Sequence, residues 1–278
     1  MNANALIREA LREDLGRRGD LTTKIFVPTR AHISARVVAR KAGVICGLKI
    51  AKAIFRACDK TCRVSIIVPD GGEVKAGQTV LKISGRRGIL TAERTALNFL
   101  QRLSGVATRT ALFVAAIRKT KAKIYDTRKT LPGWRELEKY AVRCGGGMNH
   151  RLGLYDAVMV KDNHWSAARN FDRAVEKLRR LYPRLPLIIE ADRLDQVQRA
   201  LKLSADIILL DNMPRPRLRQ AIRLIRHDSP KTKIEISGGV DLKTVRSLAR
   251  LGVDRISVGQ ITHSAPALDL GLDLVPTH

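Results

Sequence analysis

From Lys123 onward the chain repeats one unit, a short apolar run closed by a polar or glycine residue and followed by a helical pattern. The apolar runs fall at 123–126, 157–160, 187–190, 207–211, 234–237 and 255–258, with helical spacing around 134–143, 168–181, 193–202, 214–226 and 241–250. Such alternation predicts a parallel sheet with right-handed crossovers. The residues at the ends of the runs select the architecture: Thr127-Arg128-Lys129, Lys161, Glu190, Asp211, Ser237-Gly238-Gly239 and Gly259-Gln260. A barrel brings all its strand ends to one face, where the loops build an active site. A doubly wound sheet joins only the two or three ends at its switch point. The sequence therefore predicts a barrel.

The preceding segment reads differently. Residues 5–15 have amphipathic spacing, and GRRGDLTT breaks that helix, with Asp20 or Thr22 placed to begin the next. Residues 32–45, 64–67 and 80–83 alternate as strands, 48–58 return to helical spacing, and PDGGEVKAG supplies turns. Residues 20–90 thus predict a small domain of antiparallel strands with one or two helices. A long helix is expected from Thr91, a candidate cap, with an interruption at Ser104-Gly105. By spacing alone Arg102 is a solvated helix arginine.

With 278 residues, 45% of them hydrophobic, the chain can bury the core of a barrel plus a smaller domain. No apolar run reaches the roughly 18–20 residues of a membrane span, and the charged N-terminus lacks a signal-peptide pattern, so a cytoplasmic location is expected. Cys58 and Cys62 have no second pair at zinc spacing, and Cys144 reads as a buried small residue. The net charge of +26 raises nucleic-acid binding, but only 4% of residues are aromatic and the basic residues are spread over helix faces. They read as a solvated surface.

The polar residues divide into two chemistries. Gly145-Gly146-Gly147 are read as letting backbone approach a ligand, and deliver His150 and Arg151, while the next strand ends at Lys161. Asn163-His164 read as a structural pair supporting Lys161. With Arg128, Lys129 and possible help from Arg102, these form a cationic half for a multiply anionic substrate. Glu190 and Asp211 form an acidic half suited to Mg²⁺ or sugar hydroxyls. Ser237-Gly238-Gly239 and the Gly259 loop offer backbone N–H groups at helix starts, a phosphate cradle. The combination points to chemistry on a phosphosugar beside an anionic acceptor.

The segments GDLTT (19–23), PDGGEVKAGQTVLKISG (69–85), ERTALNFLQRLSG (93–105), YDTRKTLPGWR (125–135), GGGMNHRLGLYDAVMVKDNH (145–164), LLDNM (209–213), EISGGV (235–240) and SVGQITHSAPALDLGLD (257–273) closely resemble the quinolinate phosphoribosyltransferase family. The resemblance implies an N-terminal α/β sandwich over 1–105, rejoined by the tail 265–278, and an incomplete TIM-like α/β barrel over 106–264. It also implies formation of nicotinate mononucleotide, CO₂ and pyrophosphate from quinolinate and phosphoribosyl pyrophosphate in NAD biosynthesis, with Mg²⁺. Arg102, Thr127, Arg128, Lys129, His150, Arg151 and Lys161 would surround the quinolinate carboxylates and nearby phosphates. Glu190 and Asp211 would face the ribose and its substrate-bound Mg²⁺, and Ser237, Gly238, Gly239, Val258, Gly259 and Gln260 would hold phosphate. Lys129, Lys161, Glu190 and Asp211 would be the catalytic set. The resemblance also implies a homodimer or a higher assembly in which Arg102 reaches the neighbouring subunit's site.

Two departures stand out: Ala191 replaces a larger aliphatic residue, and Gln260 stands where a small one is common. Two other functions fit the fold. One is a molybdenum-transport-associated pyrophosphorylase-like paralogue acting on another acceptor, against which the Arg128-Lys129 and His150-Arg151 pairs argue. The other is a basic RNA-binding protein, which would have no need of Glu190 and Asp211.

Overall fold

The computed structural model describes residues 3–167 and 170–276. It divides into two compact units, Met1–Ala111 with Thr130–Gly146 and Ile261–His278, and Leu112–Lys129 with Gly147–Gln260.

The first unit is organised on an antiparallel sheet. Its strands are β1 (Ile33–Ala39), β3 (Arg63–Ile66), β5 (Thr79–Gly85) and, from the end of the chain, β12 (Leu270–Leu274), in the order β12-β1-β5-β3. A two-stranded ribbon joins β2 (Gly43–Val44) to β4 (Glu73–Val74). The helix Leu48–Cys58 buries Leu48, Ala51, Ile54 and Phe55, positions three and four apart that form one face. Asp70 Oδ1 caps its start by accepting from the N–H groups of Gly47 (2.9 Å) and Leu48 (3.1 Å). Asp20 does the same for the helix Leu21–Phe26, accepting from Thr23 N–H.

Two helical expectations change. The long helix runs unbroken from Gly88 to Ile117, so Thr91 is not its cap; the Thr91 hydroxyl donates to Asp20 at 2.8 Å instead. Ser104 and Gly105 do not interrupt it. The Ser104 hydroxyl accepts from Cys46 N–H, and a side chain at Gly105 would strike the Pro266 carbonyl, so both adapt the helix to close neighbours. The helix Arg135–Cys144, counted with the barrel from sequence, belongs to the first unit. Trp134 stacks on Phe99 with ring centroids 4.5 Å apart, Leu137 packs on the same core, and Tyr140 donates to Asp70.

The second unit carries β6 (Lys123–Tyr125), β7 (Val158–Val160), β8 (Leu187–Ala191), β9 (Ile207–Asp211), β10 (Lys233–Ser237) and β11 (Arg255–Ser257). All are parallel, in the order β6-β11-β10-β9-β8-β7. From β7 to β11 each strand pairs with the next in sequence, and β11 pairs with β6. Among the described residues β6 and β7 share no ladder; beyond its ladder with β11, β6 makes one isolated bridge, Tyr125 to Met148, in the loop before β7. A singly wound sheet whose first and last strands pair is a barrel with one open seam, as the strand ends predicted. Its strands read as near-continuous apolar runs because both faces are covered; Ile207 to Leu210 are all buried. The helices between them within this unit are Asp162–Ala167, Phe171–Leu181, Leu194–Lys202, Arg215–Asp228 and Val245–Ala249; residues 168 and 169, where a helix was expected to begin, lie outside the described ones. Arg215, Arg217, Arg219 and Arg223 are exposed on one helix while Leu218, Ala221, Ile222 and Ile225 face the barrel, the solvated basic surface read from sequence.

Candidate active site

Register places the functional side chains. Ser237 pairs with Asp211, so those two stand at one level, and Glu190 pairs with Leu209, two residues before Asp211 on the neighbouring strand. Val160 pairs with Ile189, which sets Lys161 beside Glu190, and Lys161 Nζ reaches Glu190 Oε2 at 2.8 Å. His164 Nδ1 accepts from Lys161 N–H at 2.9 Å, so His164 does hold the Lys161 backbone. Trp165 Nε1 donates to the Glu190 carbonyl at 3.1 Å and fastens the same corner.

Arg128 and Arg151 form the cationic sector. Burial and, next, the charge of Arg128 pull the Arg151 guanidinium below its ordinary pKa, partly offset by Asp156 and Glu190. Two half-buried guanidiniums close enough to oppose one another's charge are relieved by an anion between them. The turn that carries Arg128 is shaped by Thr127, whose hydroxyl accepts from Lys129 N–H at 3.0 Å, and Lys129 is exposed. Thr127 therefore shapes the turn. Asp156 accepts from the N–H groups of Leu152 and Gly153 and stiffens the loop after Arg151.

His150 does not line the site as expected. It is buried at 8% exposure, its Nδ1 accepts from Arg151 N–H (2.7 Å), and its Nε2 lies 3.3 Å from Glu235 Oε1. With both ring nitrogens turned to protein groups, His150 positions Arg151. Glu235, on β10, is fully buried, with Arg255 Nε at 2.9 Å and a hydrogen bond from the Ser257 hydroxyl. Burial raises its pKa, but His150, Arg255 and Ser257 outweigh that and hold it below the usual carboxylate range. Arg255 also lies 3.9 Å over the Tyr125 ring. Sequence reasoning missed Glu235, Arg255, Tyr125 and Asp126. The available signal was a charged residue inside the apolar run Ile234-Glu235-Ile236, opposite Arg255 in register.

The acidic sector keeps capacity for a ligand. Asp211 accepts from the Ser237 hydroxyl on one oxygen and from Asn212 Nδ2 (2.7 Å) on the other, and each oxygen retains a second lone pair. Ser237 thus serves Asp211 through its hydroxyl. Gly238 (φ +87°) and Gly239 (φ +58°) take left-handed backbone, and a side chain at Gly238 would collide with Asn212. They do not sit at a helix start, since the next helix begins at Val245. Val258 is buried and its N–H donates to Tyr125 O, whereas Gly259 beside it is half-buried. Gln260 Nε2 donates to Val240 O at 2.6 Å, so its side chain ties the two glycine loops together. The glycine run also has another explanation. A side chain at Gly145 would strike the Ala107 carbonyl, and Gly146 has φ +80°, so helix packing and a turn require glycine there.

Arg102 is committed within its own chain. Its guanidinium donates to Glu138 Oε1 from Nε (3.0 Å) and Nη2 (2.5 Å), and to the carbonyls of Thr262 (2.6 Å) and Ala265 (3.1 Å). Reaching a neighbouring subunit's site would leave Glu138, 0% exposed, an unpaired buried charge. The geometry assigns Arg102 to the architecture of the first unit.

The fold and these strand ends define an α/β-barrel enzyme whose rim carries a guanidinium pair and a separate carboxylate pair. The chain belongs to the quinolinate phosphoribosyl transferase family: residues 20–104 match its N-terminal domain and 106–273 its C-terminal domain. It is 43% identical over 275 residues to a carboxylating nicotinate-nucleotide pyrophosphorylase of Mycobacterium leprae, covering 98% of this chain and 97% of that protein. A probable enzyme of the same name from Synechocystis is also 43% identical, across 97% of this chain and 91% of its own. Among solved structures, the nicotinate-nucleotide pyrophosphorylase of Ehrlichia chaffeensis superposes with a TM-score of 0.92 at 35% identity, over 99% of both chains. That of Francisella tularensis gives 0.91 at 38%, over 98% of this chain and 96% of its own.

Proposed function

We propose that the chain is a carboxylating quinolinate phosphoribosyltransferase, making nicotinate mononucleotide, CO₂ and pyrophosphate from quinolinate and phosphoribosyl pyrophosphate in NAD biosynthesis. The observation that carries the reading is the match of both family domains over residues 20–104 and 106–273; Arg128 and Arg151, two half-buried arginines at the strand-end face, supply cations suited to two carboxylates held on one ring. Lys129 adds an exposed positive charge beside them. Glu190 and Asp211 face the ribose. As the pyrophosphate departs, the anomeric carbon becomes cationic, and these carboxylates stabilise it. The ring nitrogen of quinolinate then bonds to that carbon and becomes a pyridinium. Its positive charge draws electrons from the adjacent C–carboxylate bond, CO₂ leaves, and the ring carbanion takes up a proton. Positioning and charge compensation supply the catalysis.

The carboxylates also fit Mg²⁺. Glu190 and Asp211 offer hard oxygen donors, and no group of three or more His, Cys, Asp or Glu gathers as a cage among the described residues. That donor set suits an ion that arrives on the substrate's phosphates and takes one or two protein carboxylates. Bound there, Mg²⁺ supplies charge neutralisation for the leaving pyrophosphate. Gly238, Gly239 and Gly259 form the backbone on the phosphate side. A homodimer and a cytoplasmic location complete the reading; no helix among the described residues is long and apolar enough to cross a membrane.

The test is incubation with quinolinate, phosphoribosyl pyrophosphate and Mg²⁺, following nicotinate mononucleotide and CO₂. Product from nicotinate but not quinolinate would overturn the acceptor assignment, and product undiminished by a chelator would overturn the metal.

A further inference from the structure

We propose that Glu235 is a positioning residue for acceptor binding: from inside the barrel it holds His150 in the tautomer that receives the Arg151 backbone N–H. The inference rests on the reading of Arg151 as a carboxylate-binding residue. Because Nδ1 of His150 accepts the Arg151 N–H at 2.7 Å, that nitrogen carries no proton. The ring hydrogen is then on Nε2, which faces Glu235 Oε1 at 3.3 Å. Arg255 Nε, 2.9 Å from Oε2, supplies the countercharge to the Glu235 carboxylate. A second tie comes from Asp126, whose Oδ1 accepts from His150 N–H at 2.7 Å. Asp126 directly precedes Thr127-Arg128-Lys129, so one buried network fixes the backbone of both cationic segments.

A buried ionic set of this kind is often no more stabilising than apolar residues of the same shape. What it does supply here is direction. An apolar residue at position 235 would leave the imidazole free to turn or to take its other tautomer, in which Nδ1–H and Arg151 N–H meet head to head. Glu235→Gln makes the same point with almost no change in volume. The amide oxygen must face the Arg255 cation, which turns the NH₂ group toward His150. Nε2 then accepts, and the proton moves to Nδ1.

The variant is expected to raise KM for quinolinate by about 10-fold or more, the scale of a displaced binding group, with KM for phosphoribosyl pyrophosphate within about twofold of wild type. A role in folding alone would lower the active fraction without separating the two constants. Imidazole ¹⁵N spectra are expected to show His150 as Nε2–H in the wild-type protein and Nδ1–H in the variant. Nδ1–H in the wild type, or an unchanged quinolinate KM in folded Glu235→Gln, overturns the inference. If the variant does not fold, the wild-type spectrum decides. Arg151→Lys separates the two readings: no change in its quinolinate KM removes the acceptor assignment itself, whereas a rise there with none in Glu235→Gln removes only the role of Glu235.

Discussion

Replacing Arg102 separates a structural from a catalytic arginine. Truncation to alanine removes both donors to Glu138 Oε1 and the donors to the Thr262 and Ala265 carbonyls. Glu138, fully buried, keeps the Leu131 N–H at 3.2 Å on its other oxygen but loses the charge that balances it. Stranding a buried charge in this way costs about 3–5 kcal/mol. At roughly 2–4 °C per kcal/mol for a domain of 150–250 residues, the melting temperature should fall by about 10 °C. Replacing both partners with apolar residues, Arg102→Met with Glu138→Leu, removes the stranded charge and should recover most of the loss. Scanning calorimetry measures both effects, and steady-state kinetics below the melting transition should show kcat/KM for quinolinate close to wild type in the double variant. If the double variant melts normally but loses about 100-fold or more in kcat/KM, Arg102 acts on substrate, in its own or a neighbouring subunit, and the structural assignment is wrong.

Lys129→Ala and Arg151→Ala should each lower kcat/KM for quinolinate by about 100-fold or more, the scale of a lost positioned charge; near-normal kinetics in either removes that residue from the site. Acid should unfold the protein through Asp20, Asp59 and Asp254, whose pKa values lie below the ordinary value despite the opposing effect of burial, because hydrogen bonds and nearby cations favour the charged form. Depressed values contribute stability that is fully present above about pH 4 and lost as pH falls through them, so chemical denaturation midpoints should be flat near neutrality and drop below that point. Among the four thiols, Cys144 should react first with an alkylating agent under native conditions. Hydrogen bonds from Cys46 and Tyr140 outweigh burial and lower its pKa, whereas Cys46 is pushed up by its hydrogen bond to Cys144 and by burial, and Cys58 and Cys62 are raised to about 11 by burial first. Mass spectrometry of the partly labelled protein checks the order, and first labelling at Cys58 would refute it.

The barrel was legible because strand-helix alternation and the place of a polar residue at each strand end are local patterns. A strand buried on both faces has to be apolar along its length, and it leaves polar chemistry only at its end. Lys161, Glu190 and Asp211 could therefore be placed at strand ends from spacing alone, and the antiparallel domain from period-two runs between turns. Roles that depend on a partner distant in sequence were not legible. In a string of letters His150 looks like a ligand-binding residue and Arg102 like a solvated one. Whether a side chain faces substrate or a buried carboxylate is set by packing, and Glu235 lies 85 residues from His150 in the chain. Glycine is ambiguous in the same way. Gly145 is required by the approach of a helix carbonyl, a constraint that exists only once the chain has folded. Sequence by itself determined which elements form and where polar chemistry gathers; tertiary structure decided which of those polar groups remain for a ligand, because buried charges must first be paired with one another.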